Sequence, residues 1–173
     1  LVEWNETAER YRLHDLARVF ADSRMSEAER DGARRSHARH YQSVLSAADD
    51  LYIRGGEAVL RGLALFDLER ANIEAGHVWA TDHTGSDEST AELCITYLGA
   101  SAHVLSLRLH PREHIRWLEV MRDSARRLKR RDAEAVALGN LGTAYAALGE
   151  THHAIEFYRQ ALEIARQTGD RRG

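Results

Sequence analysis

The stretch LGNLGTAYAALGETHHAIEFYRQALEIA (Leu138–Ala165) decides the fold. Leu138, Leu141, Tyr145 and Leu148 recur at helical spacing and make one apolar stripe. Gly142 removes a side chain where a neighbouring helix has to come close, at a helix-propensity cost of about 1 kcal/mol. Gly149 suits the residue just past a helix end. Beyond it, Ala154, Tyr158 and Ala161 alternate small and large, as knobs set into the first helix. Gly169-Asp170 then breaks the chain. The expected structure is two helices, Ala133–Leu148 and Thr151–Thr168, joined by a short turn.

The same plan occurs 40 residues earlier. EHIRWLEVMRDSARRLKRR (Glu113–Arg131) lies over HAIEFYRQALEIARQTGDR (His153–Arg171). Ile115 falls on Ile155, Trp117 on Phe157, Leu118 on Tyr158 and Ala125 on Ala165. Upstream, Leu98-Gly99 falls on Leu138-Gly139, and Ala102 on Gly142. The earlier pair of helices is expected at Glu88–Leu109 and Glu113–Lys129. A fixed period of this kind is the mark of stacked helical hairpins.

The later unit resembles a tetratricopeptide repeat. Leu141, Gly142, Tyr145, Ala154, Tyr158 and Ala161 stand at the family's Leu-Gly, Tyr, Ala, aromatic and Ala positions. The proline usual near the unit's end is missing, which suits a longer, 40-residue variant. The earlier unit is degenerate: Ser101 and Ala102 replace Leu-Gly, and Leu105 replaces the tyrosine.

Upstream, SEAERDGARRSHARHYQSVLSAADDLY opens with a capping box, Ser26 with Glu29. Its apolar face is expected at Ala33, His37, Tyr41, Val44, Leu45, Ala48 and Leu51. Gly55-Gly56 interrupts the chain. A second helix, LALFDLERANIEAGHVWA, should place Leu65, Leu68, Ile73, Val78 and Trp79 in a core. The polar run Thr81–Thr90 reads as a linker. At the N-terminus, LVEW and RYRL read as two short strands around a polar turn at Asn5–Thr7, followed by a helix from Asp15.

That opening resembles the wing and last helix of a winged-helix domain. With the helical segment and the 40-residue repeats, nearly the whole chain resembles the C-terminal part of bacterial signalling NTPases of the NB-ARC (STAND) type. In that family a Met-His-Asp motif places a histidine on the β-phosphate of bound ADP. Leu13-His14-Asp15 stands at the matching position, with leucine for methionine. The resemblance implies that His14 is a phosphate contact, with ADP or ATP held by an upstream nucleotide-binding domain of the same chain. It also implies a sensor arm whose repeats engage a ligand and release an ADP-locked state. From the two residues alone, Asp15 is an N-cap and His14 a surface residue. No GxxxxGK[ST] motif occurs in these residues, so the segment itself is expected to hold no cofactor and to be no enzyme.

The expected organisation is therefore all-α, a right-handed superhelix of helical hairpins behind a winged-helix remnant. Residues 1–25 end the winged-helix domain, 26–83 form a helical linker, 88–131 are the degenerate repeat, and 133–173 hold the clear repeat and the start of the next. Leu1 is not a methionine and Gly173 falls inside the pattern, so the 173 residues read as part of something longer. The net charge of -3 offers no general attraction to nucleic acid or anionic membrane. One cysteine excludes an internal disulfide, and no apolar run approaches the ~20 residues of a membrane span. A cytoplasmic protein is expected.

Ten histidines invite a metal reading, and the sequence argues against it. HPREH (His110–His114) matches HxxEH, but Pro111 cannot lie inside a helix that includes His110, while it suits the first turn of a new one. HARH (His37–His40) and His152-His153 lack a third ligand at metal spacing. Cys94 and His103 are not neighbours on a helix, so Cys94 reads as a small buried hydrophobe. The basic run RRLKRRD (Arg126–Asp132) complements a helix dipole and reads as a solvated face.

What remains is the concave face of the repeats. In the family, peptide or protein partners lie along the first helix of each unit. Here those positions are Val136, Gly139, Asn140, Thr143, Ala146 and Ala147. Asn140 can offer both a donor and an acceptor to an extended peptide; its alternative is a surface asparagine with no partner. The weaker unit contributes Thr96, Gly99, Ala100, His103 and Leu107. Two other classes stay open: part of a transcriptional regulator whose DNA-binding domain lies elsewhere, and a free-standing scaffold.

Overall fold

In a computed structural model of the chain, residues 2–6, 10–99 and 101–169 are described. They form two strands, β1 (Val2–Asn5) and β2 (Arg10–Leu13), and eight helices. The helices are α1 (Asp15–Arg24), α2 (Glu27–Arg54), α3 (Glu57–Asp82), α4 (Glu88–Gly99), α5 (Ala102–Arg108), α6 (Pro111–Arg127), α7 (Arg131–Ala147) and α8 (Thr151–Thr168). The chain divides into two compact parts, Leu1–Ser36 and His37–Gly173. No helix among the described residues is long and apolar enough to cross a membrane.

In the first part the strands pair antiparallel, with Val2 opposite Leu13 and Trp4 opposite Tyr11. Side chains alternate across a strand, so these four share one face of the hairpin. The rings of Trp4 and Tyr11 meet at 4.9 Å. The expected turn at Asn5–Thr7 lies partly outside the described residues. At the start of α1 the cap is His14, whose Nδ1 accepts the N–H of Leu16 at 3.2 Å. This corrects the reading of Asp15 as the cap. Asp15 is instead the first helical residue and pairs with Arg18 at 3.1 Å. The capping box forms as read: Glu29 accepts from the Ser26 N–H at 2.8 Å, and the Glu29 N–H donates to Ser26 Oγ at 3.3 Å. The Ser26 N–H and hydroxyl, both donating to it, hold the Glu29 carboxyl below its ordinary pKa.

In the second part, Gly55 and Gly56 separate α2 from α3, both at positive φ (74° and 58°), where side chains other than glycine are strained. Leu45, Ala48, Phe66, Ile73 and Ala80 from these helices are fully buried. The expected faces need correcting. Ala33, Leu68 and Val78 are exposed, while Ala38 and Phe66 carry the core instead. The Tyr97 hydroxyl donates to the Ala38 carbonyl at 2.7 Å, and Gly76 lies where any Cβ would strike that hydroxyl.

The first helix of the earlier repeat is not the single Glu88–Leu109 helix expected. It is broken into α4 and α5. Ser101 is buried at the break and turns its hydroxyl onto the Tyr97 carbonyl one turn back, which competes with helix continuation. Asp49 of α2 then accepts the N–H of Val104 at 2.8 Å, capping α5 from another helix. Asp87 caps α4 by accepting the N–H of Thr90 at 2.7 Å.

α6 and α7 match the expected ends to within two residues. His110 caps α6 through Nδ1 and Pro111 is its first residue, as the motif reading required. α6 and α7 close in the same way. The Arg130 N–H reaches the Ala125 carbonyl and the Glu150 N–H reaches the Tyr145 carbonyl, five residues back, around left-handed Lys129 and Gly149. Gly142 faces Tyr158 of α8: a Cβ there would stand 2.6 Å from the ring.

Candidate functional site

The first helices of both repeats line one open groove of about 910 Å3. Its floor is built from residues 40 apart: Ile95 with Ala135, Thr96 with Val136, and Gly99 with Gly139. The repeat period thus recurs as a geometric period along the floor. One wall comes from α8, through Tyr158, Ala161, Leu162 and Ala165.

Of the positions read from the sequence, Val136, Gly139, Thr96 and Gly99 line this groove. Asn140, Thr143, Ala146, Ala147, His103 and Leu107 are not among its lining residues. Asn140 is half-buried and Ala147 exposed. The Thr143 hydroxyl bonds to the Gly139 carbonyl at 3.2 Å and meets the Tyr158 hydroxyl at 3.1 Å. His103 sits beyond the α4–α5 break, with Nδ1 2.9 Å from Asp49 Oδ2 and its ring stacked on Tyr52. Ala100 lies outside the described residues.

Reading α7 as the concave helix missed the wall. Its signal was present in the repeat alignment. Leu118, Met121 and Ala125 of α6 are 0–1% exposed, with α7 packed against that helix. Their counterparts Tyr158, Ala161 and Ala165 on α8 line the groove, and Tyr158 is 43% exposed. Leu162, on the same wall, is 47% exposed. Comparing the two units position by position separates apolar residues that are covered from those that are not.

The rim is charged, and its charges are matched within the chain. Arg130 pairs with Glu92 at 2.8 Å and with Asp132 at 3.1 Å. Arg126 and Arg131 both reach the buried Glu134 carboxylate. Arg127 donates to the Asp87 carbonyl at 2.9 Å. The basic run is exposed, as expected of a solvated face, and its arginines also make ion pairs and hydrogen bonds that join α4, α6 and α7.

The remaining candidates are structural. Cys94 is fully buried, and burial pushes its thiol pKa up to about 12, so it is a hydrophobe and no nucleophile at neutral pH. His77 stacks on Trp117 at 3.7 Å, and His114 is also buried. Burial lowers their pKa values to about 3 and about 4, so both rings are neutral. Among the described residues, no three His, Cys, Asp or Glu side chains come together as metal ligands. His14 caps α1.

Comparison with known proteins finds no match among curated proteins or solved structures. The family model described as "Tetratricopeptide repeat" matches residues 116–167, from the body of α6 to the end of α8, which supports tetratricopeptide repeats in this part of the chain.

Proposed function

We propose that this chain is the ligand-binding arm of a signal-transduction NTPase, taking a protein or peptide partner on the concave face of its repeats. Tetratricopeptide repeats generally mediate protein–protein interaction. The observation that carries the reading is the groove floor, in which Thr96 and Val136, and Gly99 and Gly139, present equivalent positions from successive first helices. An apolar floor with half-exposed aliphatic and aromatic walls is a surface built for another chain.

The NTPase reading rests on the resemblance at Leu13-His14-Asp15 and finds support in the first compact part. Val2, Trp4, Tyr11 and Leu13 leave one hairpin face exposed, and Leu16, Val19 and Phe20 of α1 are exposed as well. A lone two-stranded hairpin with an open apolar face is at best marginally stable, which fits the wing of a larger winged-helix domain. In that reading His14 contacts ADP phosphate in the parent, an upstream nucleotide-binding domain holds ADP or ATP, and the repeats sense the ligand in the cytoplasm. This segment supplies no catalysis. The internal pairing of the basic run speaks against direct contact with nucleic acid.

The test is the nucleotide retained by the full-length protein through purification, for wild type and His14→Ala. ADP in wild type and its loss in the variant support the latch. No nucleotide in either form leaves a free-standing repeat scaffold, in which His14 is only a helix cap.

A further inference from the structure

Buried polar atoms without a hydrogen-bond partner are few, and they gather in one place. Among the described residues there are three: His77 Nε2 and Thr81 Oγ1 on α3, and His114 Nε2 on α6. His77 and Thr81 are one helical turn apart and share a face. His114 stands one turn before Trp117, whose ring stacks on His77 at 3.7 Å. A buried polar group normally has its partner, and each exception needs a reason.

His77 and Thr81 line a cavity of about 270 Å3 between α3 and α6. No residue of α8 lines it, so it is separate from the concave groove and its wall. The floor is His77 and Trp117, 4% and 7% exposed. Val78 and Val120 make the sides apolar. At the mouth stand Asp82 of α3 and Arg116 of α6, both exposed and both without an ion pair among the described residues. Glu113 also lines the cavity, 3.6 Å from Arg70. The volume falls below the ~300 Å3 at which sites for drug-sized ligands begin, which suits a small metabolite.

The chemistry of the ligand follows from these groups in order of depth. Burial lowers the His77 pKa and keeps the ring neutral. A neutral imidazole and a hydroxyl exchange hydrogen bonds with a group that both donates and accepts. A charge taken to that floor would lose its hydration with no opposite charge beside it. The mouth faces water, and there a carboxylate and a guanidinium suit an ammonium and a carboxylate. An amino acid with a carboxamide side chain has this order: a neutral amide at one end, a short aliphatic stem, and a zwitterionic head. We propose that the cavity between α3 and α6 binds free glutamine or asparagine, with the side-chain amide on His77 and Thr81 and the head between Asp82 and Arg116. This site stands apart from the protein-binding reading of the groove and does not depend on it.

The probes are L-glutamine and L-asparagine, titrated into the intact 173-residue chain and followed by NMR chemical shifts. Saturable binding of at least one is expected. Thr81→Val removes the unpartnered hydroxyl at nearly constant shape. It should weaken binding by about tenfold or more, while the thermal midpoint stays unchanged or rises. Arg116→Gln and Asp82→Asn, both on exposed side chains, should each weaken it by about tenfold without a change in melting. L-norleucine keeps the head and a stem but has no amide, and should bind about tenfold more weakly than glutamine. Equal binding by norleucine, or by the Thr81→Val variant, would overturn the polar floor. Equal binding by N-acetyl-glutamine amide, which has the side chain without the charges, would overturn the free amino acid and leave a seat for a partner's side chain. Binding unaffected by any of the three variants, or none up to about 10 mM, overturns the site.

Discussion

The carboxylate of Asp49, 2% exposed near the C-terminal end of α2, accepts the backbone N–H of Val104 at 2.8 Å and so starts α5. The two residues are 55 apart in the chain. The second carboxylate oxygen lies 2.9 Å from His103 Nδ1. One buried acid therefore caps a helix and anchors the break that separates α4 from α5.

Asp49→Ala leaves a buried N–H without its partner and should cost about 1–3 kcal/mol. Asp49→Asn keeps an acceptor and should cost less. Urea unfolding of the two variants measures the difference. Equal stability of both with wild type would mean that the cap contributes nothing.

Gly142 and Gly139 lie three residues apart in α7, and alanine should act on them in opposite directions. At 142 the new methyl meets the Tyr158 ring, so Gly142→Ala should destabilise by about 1–3 kcal/mol. At 139 it meets open space within a helix, so Gly139→Ala should stabilise by up to ~1 kcal/mol. Thermal melts of the pair decide it, and matching signs would show that the α7–α8 contact is misread.

Lys129 turns the chain from α6 to α7 at φ 56°, where Gly149 and Gly169 stand at the equivalent ends of α7 and α8. Left-handed backbone costs a side-chain-bearing residue roughly 1 kcal/mol that glycine does not lose. Lys129→Gly should therefore raise the urea midpoint, with a net gain of at most about 0.5 kcal/mol once the greater freedom of the unfolded chain is subtracted. A lowered midpoint would mean that the lysine side chain contributes more than its backbone costs.

Stability should fall in mild acid because of His77 and His114. Unfolded, each ring takes up a proton near pH 6.5; folded, burial delays this to about 3 and about 4. Below pH 6.5 the unfolded chain binds more protons, so lowering the pH favours unfolding. Each ring contributes a slope of up to about 1.4 kcal/mol per pH unit until the folded value is reached. Urea midpoints at pH 7, 6 and 5 should drop accordingly, and His77→Phe, which keeps a ring against Trp117, should flatten the slope. An unchanged slope in that variant would place the acid sensitivity elsewhere.

Most of the helices were legible in the residues because the signals that set them are local. Ser26 with Glu29, Pro111 after His110, and Gly149 after Leu148 each act within a helical turn. Gly142 was legible as a point of close approach because its neighbour on α8 follows in the same hairpin. The 40-residue period placed α6, α7 and α8, and it located Thr96, Gly99, Val136 and Gly139 on one face. The break at Ser101 was not legible, since its cap comes from Asp49 and its packing from a helix more than 50 residues away. Nor was the difference between Leu118 and Tyr158. Both are apolar residues at one repeat position, and a sequence says which face of a helix is apolar, not which helix arrives to cover it. That is set by long-range packing, and so only the tertiary structure decided that Asn140 stays outside the groove while Tyr158 and Leu162 form its wall.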